Sequence, residues 1–293
     1  MGFSRDPAHS APRAGGQAAG GRGASRAVRE EFDDMRKIEI AAVAAVAMAA
    51  AMLAGGAGAQ TIAALAGGDT LIHIDAAAKK VTKTVKIKGV GKLAGIDMRP
   101  ADGMLYGLAV DGTVVTIDPA TGMATQKSKL KTMLAADVGA TVDFNPVADR
   151  LRILGTDGTS LRANVDTGDV IVDGSLKYAD GDANAGKKPN VVAGAYINSV
   201  KGAKATVLYD IDGTVRALLR QNPPNDGVLG TIGPVRVKGR YAFDIQSPEE
   251  GKNTAWLLAS GTLFTVDLAT GLGKTVGKIA GLERRVTDIA ILP

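Results

Sequence analysis

Beyond residue 60 the apolar positions come in short runs, each closed by a turn rich in Gly, Asp, Asn or Pro. The clearest unit is Asp111-Gly112-Thr113 followed by Val114 to Ile117 and then Asp118-Pro119-Ala120-Thr121-Gly122. It reads turn, strand, turn. Asp-Gly marks a tight hairpin because glycine accepts positive φ without a Cβ clash, and Pro is pre-set for the second position of the later turn. The frame returns as Gly68-Asp69-Thr70 before Asp75, Asp157-Gly158-Thr159 before Asn164, and Ser260-Gly261-Thr262 before Asp267. Asp212-Gly213-Thr214 opens a further copy whose second turn has become Asn222-Pro223-Pro224-Asn225-Asp226-Gly227. A repeat of this kind decides the fold before any single motif does.

Each copy also carries an upstream pair of strands: Leu93–Met98 with Met104–Val110, Thr141–Phe144 with Arg150–Thr156, Val192–Asn198 with Ala205–Ile211, and Tyr241–Gln246 with Thr254–Ala259. Four short strands per repeat are the signature of a propeller blade. The ends complete the count. Thr61–Thr70 aligns with Met104–Thr113, a second strand, whereas Val286–Ile291 resembles a first strand with nothing after it. The expected fold is all-β, a five-bladed β-propeller of four-stranded blades closed by N- and C-terminal strands that share one blade. Closure of this kind removes the exposed edges that invite aggregation. Lys80, Lys83, Lys86 and Lys88, then Lys127, Lys129 and Lys131, fall on the outermost strands, where charge protects an edge.

The first 59 residues read differently. Residues 1–34 are Gly-, Ala-, Ser- and Arg-rich without apolar periodicity, either disordered or upstream of a true start at Met35. Residues 35–59 have the layout of a secretory signal peptide: Arg36-Lys37, an apolar run from Ile40 to Leu53, and small residues ending Ala57-Gly58-Ala59. Cleavage before Gln60 leaves residues 60–293 as the propeller domain, without a stable membrane span, in the periplasm or secreted. There is no cysteine, so no disulfide supports the fold. A formal net charge of +5 is mild, and aromatics are only 4% of residues, so nucleic-acid binding is not expected. A monomer is expected.

Several longer strings resemble one family. Val142–Arg152, Leu161–Gly168, Gly181–Gly186 and Gln221–Asn225 are similar to the bacterial domain-of-unknown-function family 4394 over roughly Thr61–Pro293. The resemblance implies a secreted or periplasmic propeller-like domain with no established activity, and supplies no catalytic residues.

Candidate chemistry is sparse. After residue 59 the chain has one histidine, His73, no cysteine, no nucleophile elbow and no phosphate-binding loop. His73 reads as a strand residue at a blade surface. Asp97, Asp143, Asp244 and Asp288 are expected at one shared place on four innermost strands, with Tyr196 in the fifth. Such a ring of channel carboxylates could hold a cation or do acid–base work. Its repetition favours a structural role, with each carboxylate accepting a hydrogen bond from the neighbouring blade. The longest departure from the repeat, Ser175–Asn190, contains Asp180, Asp182 and Asn184 on alternate residues, a partial ligand set for Ca²⁺; no other cofactor is expected. Ordinary turn chemistry gives the same pattern.

Blade two carries Arg150, Arg152 and Arg162 in otherwise apolar strands, and Asn164 where other copies have Asp. Arg152, Arg162 and Asn164 are candidates for an anionic ligand; the competing expectation pairs the arginines with Asp149, Asp157 and Asp166. A ligand is expected at the ring mouth beside blades two and three. The leading expectation is a non-enzymatic exported binding or scaffold module for a small molecule, glycan or protein. The alternative is a metal-dependent hydrolase or lactonase using the inner carboxylates.

Overall fold

The computed structural model describes residues 60–293. The proposed signal peptide and the segment before it lie outside the described residues. Five antiparallel blades form a ring. The closing blade contributes β1 (Thr61–Ala66), β2 (Thr70–Asp75) and β3 (Lys80–Lys86). Blade one follows with β4 (Leu93–Arg99), β5 (Met104–Ala109), β6 (Thr113–Ile117) and β7 (Ala124–Lys129). Blade two is β8 (Ala140–Asn145), β9 (Arg150–Gly155), β10 (Ser160–Ala163) and β11 (Val170–Val172). A short β12 (Lys177–Tyr178) precedes blade three: β13 (Val191–Tyr196), β14 (Leu208–Asp212), β15 (Ala217–Gln221) and β16 (Val228–Pro234). Blade four is β17 (Tyr241–Glu249), β18 (Lys252–Ala259), β19 (Thr262–Val266) and β20 (Gly273–Lys278). Finally β21 (Val286–Ile291) returns to pair with β1, so the two chain ends share the fifth blade.

The innermost strands are neighbours in the order β4, β8, β13, β17, β21 and back to β4, which closes the ring. Apolar side chains from facing sheets fill the wedges between blades. Phe144, Leu151 and Ile153 of blade two pack on Tyr106, Leu108 and Val114 of blade one. Ala242, Leu258 and Leu263 of blade four meet Ile62, Ile72 and Ile74 of the closing blade. Gly122 shows why the second turn needs glycine: its φ is 75°, and a Cβ there would sit 2.4 Å from the Lys86 carbonyl oxygen of the preceding blade.

Two details differ from the expected layout. In blade three the strand expected over Ala205–Ile211 starts only at Leu208, because Ser199–Val207 forms a wide turn after Asn198 at φ 58°. The insertion between β11 and β13 also supplies a fifth strand to that sheet: β12 pairs in parallel with the outermost strand β16. The insertion therefore lies on the rim of blade three. Of Ser175–Asn190, only Asn190 lines either mouth of the channel.

Candidate functional site

The ring carboxylates follow one geometric rule. Asp97 on β4 accepts the Phe144 N–H of β8 at 2.6 Å, and Asp143 on β8 accepts the Tyr196 N–H of β13 at 3.0 Å. Asp244 on β17 accepts the Ile291 N–H of β21 at 2.7 Å, and Asp288 on β21 accepts the Ile96 N–H of β4 at 2.8 Å. Four of the five junctions thus carry a carboxylate-to-amide latch from one inner strand to the next. Asp97, Asp244 and Asp288 also each accept the N–H of their own following residue, which holds the carboxylate plane in place.

The levels differ from the expected shared place. Asp97, Asp143 and Asp244 sit opposite Tyr106, Arg152 and Trp256 of their second strands. In blade three the residue opposite the equivalent Tyr209 is Ala195, not Tyr196. In the closing blade Ala290 takes that level opposite Ala63, and Asp288 lies two residues earlier opposite Leu65. Asp288 makes the same latch one pleat upstream. The junction that lacks an acid is joined instead through Asn198, whose N–H donates to Asn253 Oδ1 at 2.8 Å and whose Oδ1 accepts the Gly251 N–H.

Because three acids share a level, ligand oxygens of Asp97, Asp143 and Asp244 lie within 4.8 Å of one another. Burial and mutual repulsion raise their proton affinity. Asp97 and Asp143 are pushed well above the usual carboxylate range, by burial first and then by neighbouring charge, that of Asp244 for Asp97 and those of Asp97 and Asp244 for Asp143. Burial takes Asp244 to about 6 and lifts Asp288 well above its ordinary value. Asp97 and Asp244 line a cavity of about 410 Å³ at the mouth where the inner strands end, together with Gln60, Ser199, Gln246 and Pro248. Gln246 donates to Gln60 across this mouth and accepts from Trp256 Nε1.

The blade-two arginines are paired, but not as expected. Arg152, 1% exposed, donates to Asp173 Oδ2 at 2.5 Å, to Ser160, to Asn225 of the degenerate turn and to the Tyr196 hydroxyl. Arg162 grips both Asp173 oxygens, at 2.6 and 2.8 Å. Asp173 thus takes the place assigned to Asp149, Asp157 and Asp166. Asp149 and Asp166 are held by Arg99 of blade one, bidentately in the case of Asp149, while Asp157 is bonded within its own turn to Thr159. Arg150 donates to the carbonyls of Ala148 and Asp149. Asn164 accepts the Asp166 N–H in its turn. Arg99 and Asp173 escaped a reading of single strands, because both act between segments.

The rim loop is similarly occupied. Asp182 accepts the Thr231 N–H and hydroxyl and the Asn184 N–H, and Asn184 Oδ1 accepts from Lys187. These oxygens tie the loop to β16. Asp180 is exposed. His73 is partly buried with Nε2 2.8 Å from the Pro119 carbonyl of blade one, and burial lowers its basicity.

A buried residue missed from sequence is Asp210. It is fully enclosed, and neither carboxylate oxygen has a hydrogen-bond partner; burial pushes it to about 8. Its cross-strand partner is Gly194, where a Cβ would lie 2.3 Å from Asp210 Oδ1. The signal was present: Ile153 and Leu257, facing the inner strand at the same step in blades two and four, are apolar.

A family profile described as a domain of unknown function (DUF4394) matches residues 59–290. Among curated proteins none matches in sequence. Similar solved structures include a protein of unknown function from Bacteroides thetaiotaomicron, 16% identical over 79% of this chain and 64% of that one, TM-score 0.47. A protein of unknown function from Bacteroides caccae is 11% identical over 76% and 74%, TM-score 0.42. An auxiliary nutrient binding protein from Bacteroides ovatus is 12% identical over 71% and 56%, TM-score 0.41. The chain spans less than two thirds of the first and third of these.

Proposed function

The chain belongs to the DUF4394 family of domains of unknown function, and from that premise we propose that it is a non-enzymatic binding module taking a small ligand at the carboxylate-floored mouth. The observation that carries this reading is the double duty of Asp97, Asp143 and Asp244: they converge within 4.8 Å, yet each is fixed by a backbone N–H of the next blade. Asp97 and Asp244 line a cavity of about 410 Å³ with Asp143 beside them, and these fixed acceptors, with Arg99 and Lys201 also on the wall, suit recognition of a cationic or hydroxyl-rich group. The Ser199 and Ser247 hydroxyls in this mouth donate to the Tyr196 carbonyl and to Asn253 Oδ1, and no histidine lines it, so no serine–histidine pair supports the hydrolase or lactonase alternative there.

Thermal melting against Ca²⁺, small amines and neutral sugars tests the proposal. At least one probe is expected to raise the midpoint by mass action, and Asp143→Asn, which keeps an oxygen for the Tyr196 N–H, should lose that increment. Asp182→Ala separates the rim loop: we expect it to lower the midpoint equally with Ca²⁺ and with chelator, since Asp182 holds Thr231. A calcium increment lost only in Asp182→Ala would return the metal to the loop. Hydrolytic turnover abolished by Asp143→Asn would overturn the binding-module reading.

Export belongs to the same proposal. β1 opens at Thr61, and Gln60 accepts the Ala76 N–H through its carbonyl, so cleavage after Ala59 keeps the whole closing blade. Sequencing the exported protein should give Gln60 as its first residue. A product still beginning upstream of Met35 would reject the signal peptide.

A further inference from the structure

The opposite mouth, where the inner strands begin, has the reverse electrostatic character. One repeat position lies immediately before each inner strand, and it is occupied by Lys92, Gly139, Asn190, Arg240 and Arg285. All five line a single cavity of about 790 Å³. The three cations belong to blade one, blade four and the closing blade, which are consecutive around the ring. They form an arc of positive charge facing Gly139 and Asn190, and no Asp or Glu lines the cavity.

What sets these cations apart is their gathering around one concavity without an acid. On the outer strands Lys86, Lys127, Lys129 and Lys131 pair with Asp69, Asp166, Asp111 and Asp169, whereas Lys80, Lys83 and Lys88 stand apart along an open edge. Among the described residues Lys92, Arg240 and Arg285 make no ion pair; Lys92 donates only to the Gly67 carbonyl at 3.1 Å. An edge charge that blocks aggregation needs only to be exposed. Gathering unpaired like charges around one concavity adds repulsion that a bound anion removes, and a concave site of one sign concentrates the opposite sign. Glycines at 67, 68, 139, 213 and 239 leave the walls without side chains, so a ligand can approach the backbone.

We propose that this mouth is a binding site for a multiply charged oxyanion, with Arg240 and Arg285 as forked donors and Lys92 as a point charge. Guanidinium groups present paired N–H donors that match two oxygens of one phosphate, sulfate or carboxylate. Thr156, whose hydroxyl accepts the Gly139 N–H and keeps its own hydrogen, and Asn190, which keeps one amide hydrogen, line the same space as neutral donors. The site lies at the other end of the channel from the carboxylate floor, so the two ends select opposite charges.

Isothermal titration at low ionic strength with inorganic phosphate, sulfate and citrate tests this. At least one probe should bind saturably at one site per chain, with affinity falling as salt is raised. Arg240→Gln/Arg285→Gln should weaken binding by about tenfold or more, equivalent to about 1.4 kcal/mol. Lys80→Gln/Lys83→Gln removes the same charge from the outer edge of the closing blade and should leave affinity within about twofold, as unpaired surface charge at a distance does under screening. Asp143→Asn, at the far mouth, should not weaken it. Equal loss in both double variants, or heat that never saturates with any of the three probes, would overturn the proposal. Both arginines are exposed, and a melting midpoint unchanged by their replacement confirms that the comparison is made on folded protein.

Discussion

Asp210→Asn is expected to raise the melting midpoint at pH 8 by roughly 4–8 °C and to change it little near pH 4. The Asp210 carboxyl is enclosed without a hydrogen-bond partner, and the nearby Arg152 guanidinium lowers its proton affinity less than burial raises it. Its folded value of about 8 stands against 3.8 for an ordinary aspartate. Between those two values the folded state binds more protons than the unfolded chain, so stability falls as pH rises through the window. Well below pH 4 both states hold the proton and the penalty is absent, and near pH 4 it is already small. A shift of this size corresponds to about 5 kcal/mol as an upper bound. Relaxation and the buried amide of the variant reduce the gain to about 2 kcal/mol, or roughly 4–8 °C for a chain of this length. Asp97, Asp143, Asp244 and Asp288 have raised values too, so the variant should retain part of the same downward slope. Melts at pH 4 and pH 8 check it. An Asn variant destabilised more at pH 8 than at pH 4 would show that Asp210 is ionised and paired in the folded protein.

The largest loss is expected from Arg152→Met. Arg152 is almost wholly enclosed and joins Asp173, Ser160, Asn225 and Tyr196, linking blade two to the degenerate turn of blade three. Its removal strips a charge partner from Asp173, whose side chain is only 4% exposed, and leaves Arg162 as the remaining counter-charge. Breaking a buried pair on one side costs about 3–5 kcal/mol, because the surviving charge stays desolvated. The midpoint should fall by roughly 10 °C or more. The second change Asp173→Asn should recover part of that loss, since it removes the stranded charge. Denaturant unfolding of wild type, both singles and the double variant measures the coupling. Additive single effects would mean that Arg152 is held by packing and its other bonds rather than by Asp173.

The fold was legible because its determinants are local. Turns such as Asp111-Gly112-Thr113 and Asp118–Gly122 need particular backbone conformations, and the strands between them are set by short-range patterning. The expected Leu93–Met98, Thr141–Phe144 and Tyr241–Gln246 appear as β4, β8 and β17 with ends shifted by at most a few residues. Ring closure was legible too, since the N-terminal run starts at a second strand and Val286–Ile291 is the first strand that it lacks.

The candidate sites were less legible, because they depend on how separate blades are set against one another. Asp288 looked equivalent to Asp97 in the repeat, but it pairs with Leu65 while Ala290 pairs with Ala63, which puts it one pleat away. β13 opens at Val191, one residue before the expected Val192, so Ala195 and not Tyr196 takes the level of Asp97. Asp173 follows β11 with no motif around it, and only the approach of Arg152 and Arg162 from two strands makes it the counter-charge. The Asp180–Asn184 spacing does not reveal what its oxygens meet, and docking on β16 brings the Thr231 N–H and hydroxyl to Asp182. The chain alone determined five copies, their turns and their closure, which depend on residues a few positions apart. Tertiary structure decided which charges meet and which mouth they line, because hydrogen bonds, desolvation and Coulomb forces act on distances that the order of residues does not contain.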